Sequence, residues 1–375
     1  MKNYSLTLKS KYNITYRNEM AANSLDIDMN EKSIHHLSID AEIESPFNIG
    51  LIVGNSGSGK TTLAKKIYGD NCFEIDLDQE KSLMEHFPKE MEYKDIVHAL
   101  TSIGLNSVPC WIRPLKTLSN GQKARAEAVL KMCEKGQKEK VIDEFTSVVD
   151  RTVAKIMSHS IMKYARKMNK KIVLCSCHYD IIEWLDPDWI IDCNNQTFEN
   201  RRSLRRNRKE KINFTIKEVE RSTWKNFSKY HYLTKNLPGG KNYYFGLFHN
   251  NVQIGFQCFT NYMPKNKKMY HSNRTVIHPD YSGLGVGIKL INVTSQYVYE
   301  KYNLDVRACF SSTPVFKSMI KQKSWEYIGS KIPSRSTMKN SKMERANEIR
   351  IHTKMHSFKF IPGNKIFNHD TILSL

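Results

Sequence analysis

Two textures of apolar and polar positions divide the chain. Through residue 200, short continuous apolar runs alternate with helical stretches. Asn48-Ile49-Gly50-Leu51-Ile52-Val53 runs straight into a glycine-rich turn, as a strand buried on both faces does. Thr62–Tyr68 reads as the helix that follows, and Lys140-Val141-Ile142 and Lys171-Ile172-Val173-Leu174-Cys175 read as two further strands. This alternation predicts an α/β domain built on a parallel sheet. Lys140 in so short a strand predicts an exposed edge. The residues before 48 alternate weakly, which predicts a small antiparallel sheet.

Beyond residue 201 the pattern turns to strands of mixed alternation. Phe214–Val219 is a strand and Ser222–Tyr230 a helix. Tyr243–Phe248 and Val252–Phe259 are two strands joined by the turn His249-Asn250-Asn251. Asn273–Ile277 is a strand running into a second glycine-rich turn. Gly287–Lys301 is a helix with Leu290, Ile291, Thr294 and Val298 on one face. Val306–Phe310 is a strand, followed by a helix that begins at Pro314 and ends in Trp325-Glu326-Tyr327-Ile328-Gly329, and by a late strand near Ile351–Phe360. The 375 residues suit two domains, 1–200 and 212–375, with residues 201–211 as a basic linker. The run Arg201-Arg202-Ser203-Leu204-Arg205-Arg206-Asn207-Arg208-Lys209 is open to two readings, a solvated linker or a grip on phosphates.

Charge sharpens the division. Residues 201–375 carry 32 Lys+Arg against 10 Asp+Glu, whereas residues 1–200 carry 26 against 28. The whole basic excess therefore lies in the second half. It predicts a polyanionic partner, nucleic acid, against the alternative of a lysine-rich surface that aids solubility. The 8 cysteines form no CxxC pair and have no histidines at zinc-finger spacing, so reduced thiols are expected. No stretch approaches the roughly 20 apolar residues of a membrane helix. The first residues lack the apolar core of a signal peptide. The expectation is a cytoplasmic protein without membrane contact.

Gly54-Asn55-Ser56-Gly57-Ser58-Gly59-Lys60-Thr61, followed by Thr62, fits G-x-x-x-x-G-K-[ST] at every fixed position. Its glycines let successive amides turn inward around phosphates. Lys60 is placed to bridge the β- and γ-phosphates of ATP, and the Thr61 hydroxyl to hold Mg2+. Val141-Ile142-Asp143-Glu144 puts a carboxylate pair at a strand end. Asp143 suits Mg2+ through water, and Glu144 suits polarising an attacking water. Leu118-Ser119-Asn120-Gly121-Gln122 precedes a helix, Asp150 follows Ser147-Val148-Val149, and His178 closes the strand of Cys175.

In this order the motifs of residues 1–200 resemble an ABC-type ATPase. The resemblance implies that Ser119, Gly121 and Gln122 meet a nucleotide held by a second copy of the chain. It implies that His178 is a γ-phosphate switch and Asp150 a dimer-communication residue. With one signature and one phosphate loop, a complete site implies an ATP-dependent homodimer. Asn120 stands where the family usually has glycine, and Gln79 is the only candidate for its lid glutamine.

The second turn, Val276-Ile277-His278-Pro279-Asp280-Tyr281-Ser282-Gly283-Leu284-Gly285-Val286-Gly287, joins a strand to an amphipathic helix. Its context resembles the GNAT superfamily of N-acetyltransferases. That resemblance implies an α+β fold and binding of the pyrophosphate of acetyl-CoA, or of a related acyl donor, at Gly283, Gly285 and Gly287. Ser282 stands where the family often has Gln or Arg. Ile320 stands where its general-acid tyrosine would fall. His278, Tyr281, Ser311, Ser312 and Tyr327 are the polar groups left to serve instead.

The arrangement as a whole resembles phage and prokaryotic fusions of a soluble ABC ATPase with a GNAT-like domain. Thr275–Tyr281 and Ser312-Thr313-Pro314 carry this likeness, and the second half loosely resembles Mom-type phage proteins that modify adenine in DNA. The fold expected is therefore a P-loop α/β ATPase domain followed by an α+β GNAT-like domain. The function expected is an ATPase with acyltransferase activity on nucleic acid, with Tyr230, Tyr232, Tyr243, Tyr244 and Tyr270 either stacking on a base or filling the core. A nucleic-acid ATPase with a merely binding second domain and a protein N-acetyltransferase stand as alternatives.

Overall fold

The computed structural model describes residues 2–10, 13, 15–24, 33–43, 46–73, 75–134, 139–201, 212–231, 236–263, 268–332, 354–363 and 371–374. Residues 202–211 of the expected linker, Tyr232 and residues 351–353 of the late strand lie outside them. Contacts divide the chain into two compact units, Met1–Asp78 with Ser119–Lys209 and Gln79–Leu118 with Glu210–Leu375. Residues 79–118, which chain order places in the first domain, thus pack with the second.

The first unit opens with β1 (Lys2–Ser10), α1 (Tyr16–Asn23) and β2 (Ser33–Ala41). β1 and β2 form the small antiparallel sheet that the weak alternation predicts. Then come β3 (Ile49–Val53) and α2 (Lys60–Tyr68). After α3 (Tyr93–Ser102) and α4 (Val108–Ile112), which belong to the other unit, follow α5 (Asn120–Cys133), β4 (Glu139–Ile142), α6 (Arg151–Lys167), β5 (Lys171–Ser176), α7 (Ile181–Leu185), β6 (Trp189–Asp192) and β7 (Thr197–Asn200).

The sheet order is β4-β5-β3-β6-β7, parallel except for the β6–β7 hairpin. β3, at its centre, is buried at every position. Gly50 lies opposite Trp189, and a Cβ there would come within 2.0 Å of the indole. Only glycine admits the ring, which packs edge-on to Phe47. Leu37 and Ile39 of β2 join Ile52, Val141, Val173 and Ile191 in one core. Lys140 corrects an expectation. β4 is an edge strand, but Lys140 is buried, with its ammonium 2.9 Å from Glu134 Oε2. Its stem is covered while its charge is paired.

The second unit contains β8 (Asn213–Glu218), α8 (Trp224–Phe227), β9 (Asn242–His249), β10 (Val252–Tyr262), β11 (Met269–Ile277), α9 (Val286–Tyr302), β12 (Val306–Phe310), α10 (Thr313–Met319), β13 (Trp325–Lys331), β14 (Met355–Phe360) and β15 (Thr371–Ser374). They form one sheet in the order β13-β14-β12-β11-β10-β9-β8-β15. Every neighbouring pair is antiparallel except β11–β12, which α9 connects as a crossover helix. The β9–β10 turn places Asn250 and Asn251 at φ 48° and 65°, the left-handed pair that a tight hairpin requires. Leu290, Ile291, Thr294 and Val298 are all buried along α9.

Trp325–Gly329 is not the end of a helix. α10 stops at Met319, and this stretch becomes strand β13, paired with β14 about thirty residues later. A short apolar run has no period that separates the two states, so the distant partner decides. Tyr270 is buried in the core, and Tyr230 and Tyr244 pack against Trp224, Phe227 and Phe256. Tyr243 packs on Tyr270 and Tyr302. Tyr270 is thus a core residue, while Tyr230, Tyr243 and Tyr244 are half-buried.

Candidate functional site

The first glycine loop is shaped by its backbone. Gly54, Gly57 and Gly59 have φ of 152°, 80° and 88°, conformations a side chain resists. A Cβ on Gly54 would meet Ser58 Oγ at 2.5 Å. The turn delivers Lys60 and Thr61 to the first turn of α2. Lys60 Nζ donates to the carbonyls of Gly54 and Asn55 at 2.8 and 2.7 Å, so its charge sits inside the loop. Thr61 Oγ1 donates to Asp143 Oδ2 at 2.7 Å. That single bond joins the loop after β3 to the carboxylate after β4, residues 82 positions apart.

Asp143 and Glu144 leave β4 in a strained turn. Glu144 and Thr146 both hold positive φ, 47° and 69°, which is costly for residues with side chains. The turn is held from several sides. Glu144 N donates to Asp143 Oδ1 at 2.9 Å, and Phe145 N donates to Cys175 O of β5 at 2.8 Å. Ser176 Oγ donates to Phe145 O, and His178 N donates to Ser176 Oγ at 3.1 Å. One chain of bonds thus ties the Asp143–Glu144 turn to the backbone of His178.

Among the described residues, no group of three His, Cys, Asp or Glu side chains is placed to hold a metal. A hydroxyl and one carboxylate beside a phosphate loop suit Mg2+, which keeps waters and binds through few protein oxygens plus substrate phosphates. The residues present therefore fit Mg2+ at Thr61 and Asp143.

Three residues of this unit that the motifs do not contain extend the site. Asn194 Oδ1 accepts from Asn55 N at 3.0 Å, and its Nδ2 donates to Tyr179 OH at 3.1 Å. Tyr179 OH donates to Asp192 Oδ1 at 2.9 Å. The phosphate loop and the residue after His178 are therefore linked. Burial, and the bond to Asp192 next, push the Tyr179 hydroxyl up to about 12. Nothing in the spacing of Asn194 announces this role.

Ser119 and Gln122 form a capping box at the head of α5, Ser119 Oγ accepting from Gln122 N and Gln122 Oε1 from Ser119 N. Gly121 is the second residue of that helix. Asp150 caps α6, accepting from Thr152 N and Val153 N at 3.0 Å each.

In the second unit, β11 and β12 pair over only three residues each, Tyr270–Ser272 with Val306–Ala308. Both strands run on, to Ile277 and Phe310, where β11 stays paired with β10 and β12 with β14 but not with each other, which leaves a wedge in the sheet. A bulge in β11 at Arg274, φ 47°, accompanies the divergence. Gln257, fully buried on β10, secures it. Its Nε2 donates to Ser272 Oγ at 2.9 Å and to Asn273 O at 3.3 Å, and its Oε1 accepts from Thr275 Oγ1.

β11 leads into the second loop. Gly283 and Gly285 have φ of 91° and 79°, and Gly285 immediately precedes α9. A Cβ at Gly285 would meet nothing within 4 Å, and one at Gly287 only Ile277 at 3.5 Å. Open backbone at a helix N-terminus suits a pyrophosphate, so the loop fits an acyl-donor coenzyme.

The candidate polar groups fall in separate places. His278 Nε2 lies 3.0 Å from Tyr230 OH, and its Nδ1 lies 3.4 Å from the Asp280 amide. Tyr281 sits against the rings of His278 and His249. Tyr327 OH lies 3.2 Å from His356 Nδ1, and Phe316 stacks on His356 at 3.9 Å. Burial, and then Lys354, hold the His356 imidazole below its usual range. Ser312 is the N-cap of α10, directly after Ser311, which follows β12, and Ile320 is the exposed C-cap of α10. Tyr230 and His356 are thus the partners that spacing alone left out.

No protein-family model and no curated protein matches the chain. Solved structures of two kinds resemble it. A dimeric post-hydrolysis state of an ATP-binding cassette, bound to ADP and Pi, is 14% identical over 53% of this chain and 98% of that one, with TM-score 0.37. A part of an ABC transporter complex from Clostridium perfringens is 17% identical over 45% and 84%, with TM-score 0.35. An N-acetyltransferase from Staphylococcus aureus is 12% identical over 39% and 96%, with TM-score 0.28. The chemistry open to the chain rests on the side chains described above. No described helix is long and apolar enough to cross a membrane.

Proposed function

We propose that this chain is an Mg2+-dependent ABC-type ATPase whose second unit transfers an acyl group to nucleic acid, as in phage-type DNA base modification. The observation that carries the ATPase half is the 2.7 Å bond from Thr61 Oγ1 to Asp143 Oδ2 beside the phosphate loop. Gly54, Asn55, Ser56, Gly57, Ser58, Gly59 and Lys60 cradle the phosphates with backbone amides and one ammonium, and Thr62 lies at the start of α2 beside them. Thr61 and Asp143 would hold Mg2+, which neutralises phosphate charge when bound. Glu144 orients the attacking water, and His178 contacts the γ-phosphate. Ser119, Gly121 and Gln122 serve the nucleotide of a second copy, so ATP binding makes a homodimer.

In the second unit, Gly283, Gly285 and Gly287 hold the pyrophosphate of acetyl-CoA or a related donor, and the β11–β12 wedge takes its arm. Transfer to an exocyclic amine forms the N–C bond, breaks the thioester C–S bond and leaves the amine proton for the departing thiolate. The excess of 32 basic over 10 acidic residues in 201–375 favours a nucleic acid as acceptor. The setting is cytoplasmic, or the host cytoplasm if the protein is phage-encoded.

A second reading, a unit that binds the donor without transfer, is favoured by Ile320, which offers no proton at the end of α10. Mass spectrometry of nucleosides and proteins from expressing cells decides among these. Acylated nucleosides support the proposal. Acylated proteins alone favour a protein N-acetyltransferase, and no new acyl group favours the binding reading. Glu144→Gln should accumulate an ATP-bound dimer on size-exclusion chromatography. A monomer with ATP present would reject the ABC-type assignment.

A further inference from the structure

A second segment lies against the loop that leaves β11. Residues 79–118 belong to the same compact unit as that sheet. Their two ends are clasped together. Leu115 N donates to Lys81 O at 3.0 Å, Lys116 N to Gln79 O at 3.1 Å, Ser82 pairs with Pro114, and the Lys116 ammonium lies 2.6 Å from Glu80. Inside the clasp, α3 ends in a Schellman turn. Leu105 N donates to Leu100 O and Gly104 N to Thr101 O, with Gly104 at φ 91°. This turn is pressed onto the second glycine loop. A Cβ on Gly104 would lie 2.5 Å from Ser282 O and 3.6 Å from Gly283 N, and Ser282 is itself buried. α3 also packs against α10. The loop at Ser282 follows β11 and α10 follows β12, so one segment touches what lies beyond both diverging strands.

We propose that residues 79–118 set the width of the wedge and that Gly104 is a positioning residue for the acyl-donor loop. This rests on the reading of the Gly283 loop as a donor site. Where backbone meets backbone with no side chain between, no flexible group absorbs a shift, so displacement of the turn is passed to the Ser282 carbonyl and Gly283 amide.

The test uses the full chain and two glycine variants. Gly104→Ala adds a methyl at the contact. Gly240→Ala imposes the same left-handed strain, φ 88°, where nothing lies within 4 Å. Amide hydrogen exchange at residues 283–287 should accelerate about tenfold or more in Gly104→Ala and stay at the wild-type rate in Gly240→Ala. Acetyl-CoA affinity, by calorimetry, should fall about tenfold or more in Gly104→Ala alone, while ATP affinity without donor is unchanged.

Unchanged exchange at 283–287 in Gly104→Ala, or an equal change in Gly240→Ala, overturns the proposal. Wild-type chain that binds no acetyl-CoA overturns the donor reading instead, and the exchange experiment still decides the contact. If Gly104→Ala does not fold, exchange in the wild-type full chain with and without acetyl-CoA serves. Residues 96–104 and 283–287 must then change together, and a change confined to one of them overturns the proposal.

Discussion

Replacing Thr61 with valine keeps the branched shape at the start of α2 and deletes one hydroxyl. That hydroxyl donates to Asp143 Oδ2 at 2.7 Å, a short bond to a carboxylate, and is also the group placed to hold Mg2+. Hydrogen bonds to charged groups contribute about 1.5–3 kcal/mol. At about 1.4 kcal/mol per factor of ten, the loss is about 10- to 150-fold in Mg·ATP affinity. The assay is titration of a fluorescent ATP analogue into the full chain, once with Mg2+ and once with EDTA. Wild-type protein should bind far more tightly with Mg2+. Thr61→Val should lose most of that difference and keep its affinity in EDTA, and Thr61→Ser should restore it. Equal affinity of Thr61→Val and wild type with Mg2+, or an equal loss in EDTA, would refute the placement of the ion between Thr61 and Asp143.

Gly50→Ala drives a methyl into the Trp189 ring and should destabilise the first unit by about 1–3 kcal/mol, seen as faster hydrogen exchange across β3 and β6. Gln257→Leu strands the Ser272 and Thr275 hydroxyls and the Asn273 carbonyl at the β11 bulge. With about 1–3 kcal/mol for the buried Ser272 hydroxyl left unpartnered, the second unit should lose protection there well before the first unit responds; retained protection would show that water replaces Gln257. Binding of the full chain to DNA should weaken as the logarithm of salt concentration rises, with a slope that reports several phosphate contacts, and salt-independent or absent binding would remove nucleic acid as acceptor.

Much of the first site was readable from spacing, because its parts are local. A glycine loop, its lysine and its threonine lie within eight residues, and amide-inward turns need glycine wherever they occur. The buried character of β3 was readable for the same reason, since the apolar run Ile49–Val53 is buried at every position. Trp325–Gly329 was misread as helix because five residues carry too little period to decide, and pairing with β14 settled it. The edge strand that carries Lys140 was expected to be exposed, but a charged residue reads as a surface residue only until its partner, Glu134, is in view. Asn194 and Gln257 escaped notice because a single amide side chain matches no motif; their importance lies in which distant backbone groups they reach.

Sequence by itself determined the two phosphate-type loops, the parallel and mixed strand patterns that present them, and a basic excess confined to the second half. These are properties of neighbouring residues or of plain counts, and near-neighbour sterics and charge enforce them whatever the rest of the chain does. Only the tertiary structure decided that Thr61 meets Asp143, that His278 meets Tyr230, that β11 and β12 part after three paired residues, and that the turn at Gly104 presses on Ser282. Each of these joins residues dozens to nearly two hundred positions apart. Such contacts form because burying apolar surface brings distant elements together, and no local spacing encodes which distant element arrives.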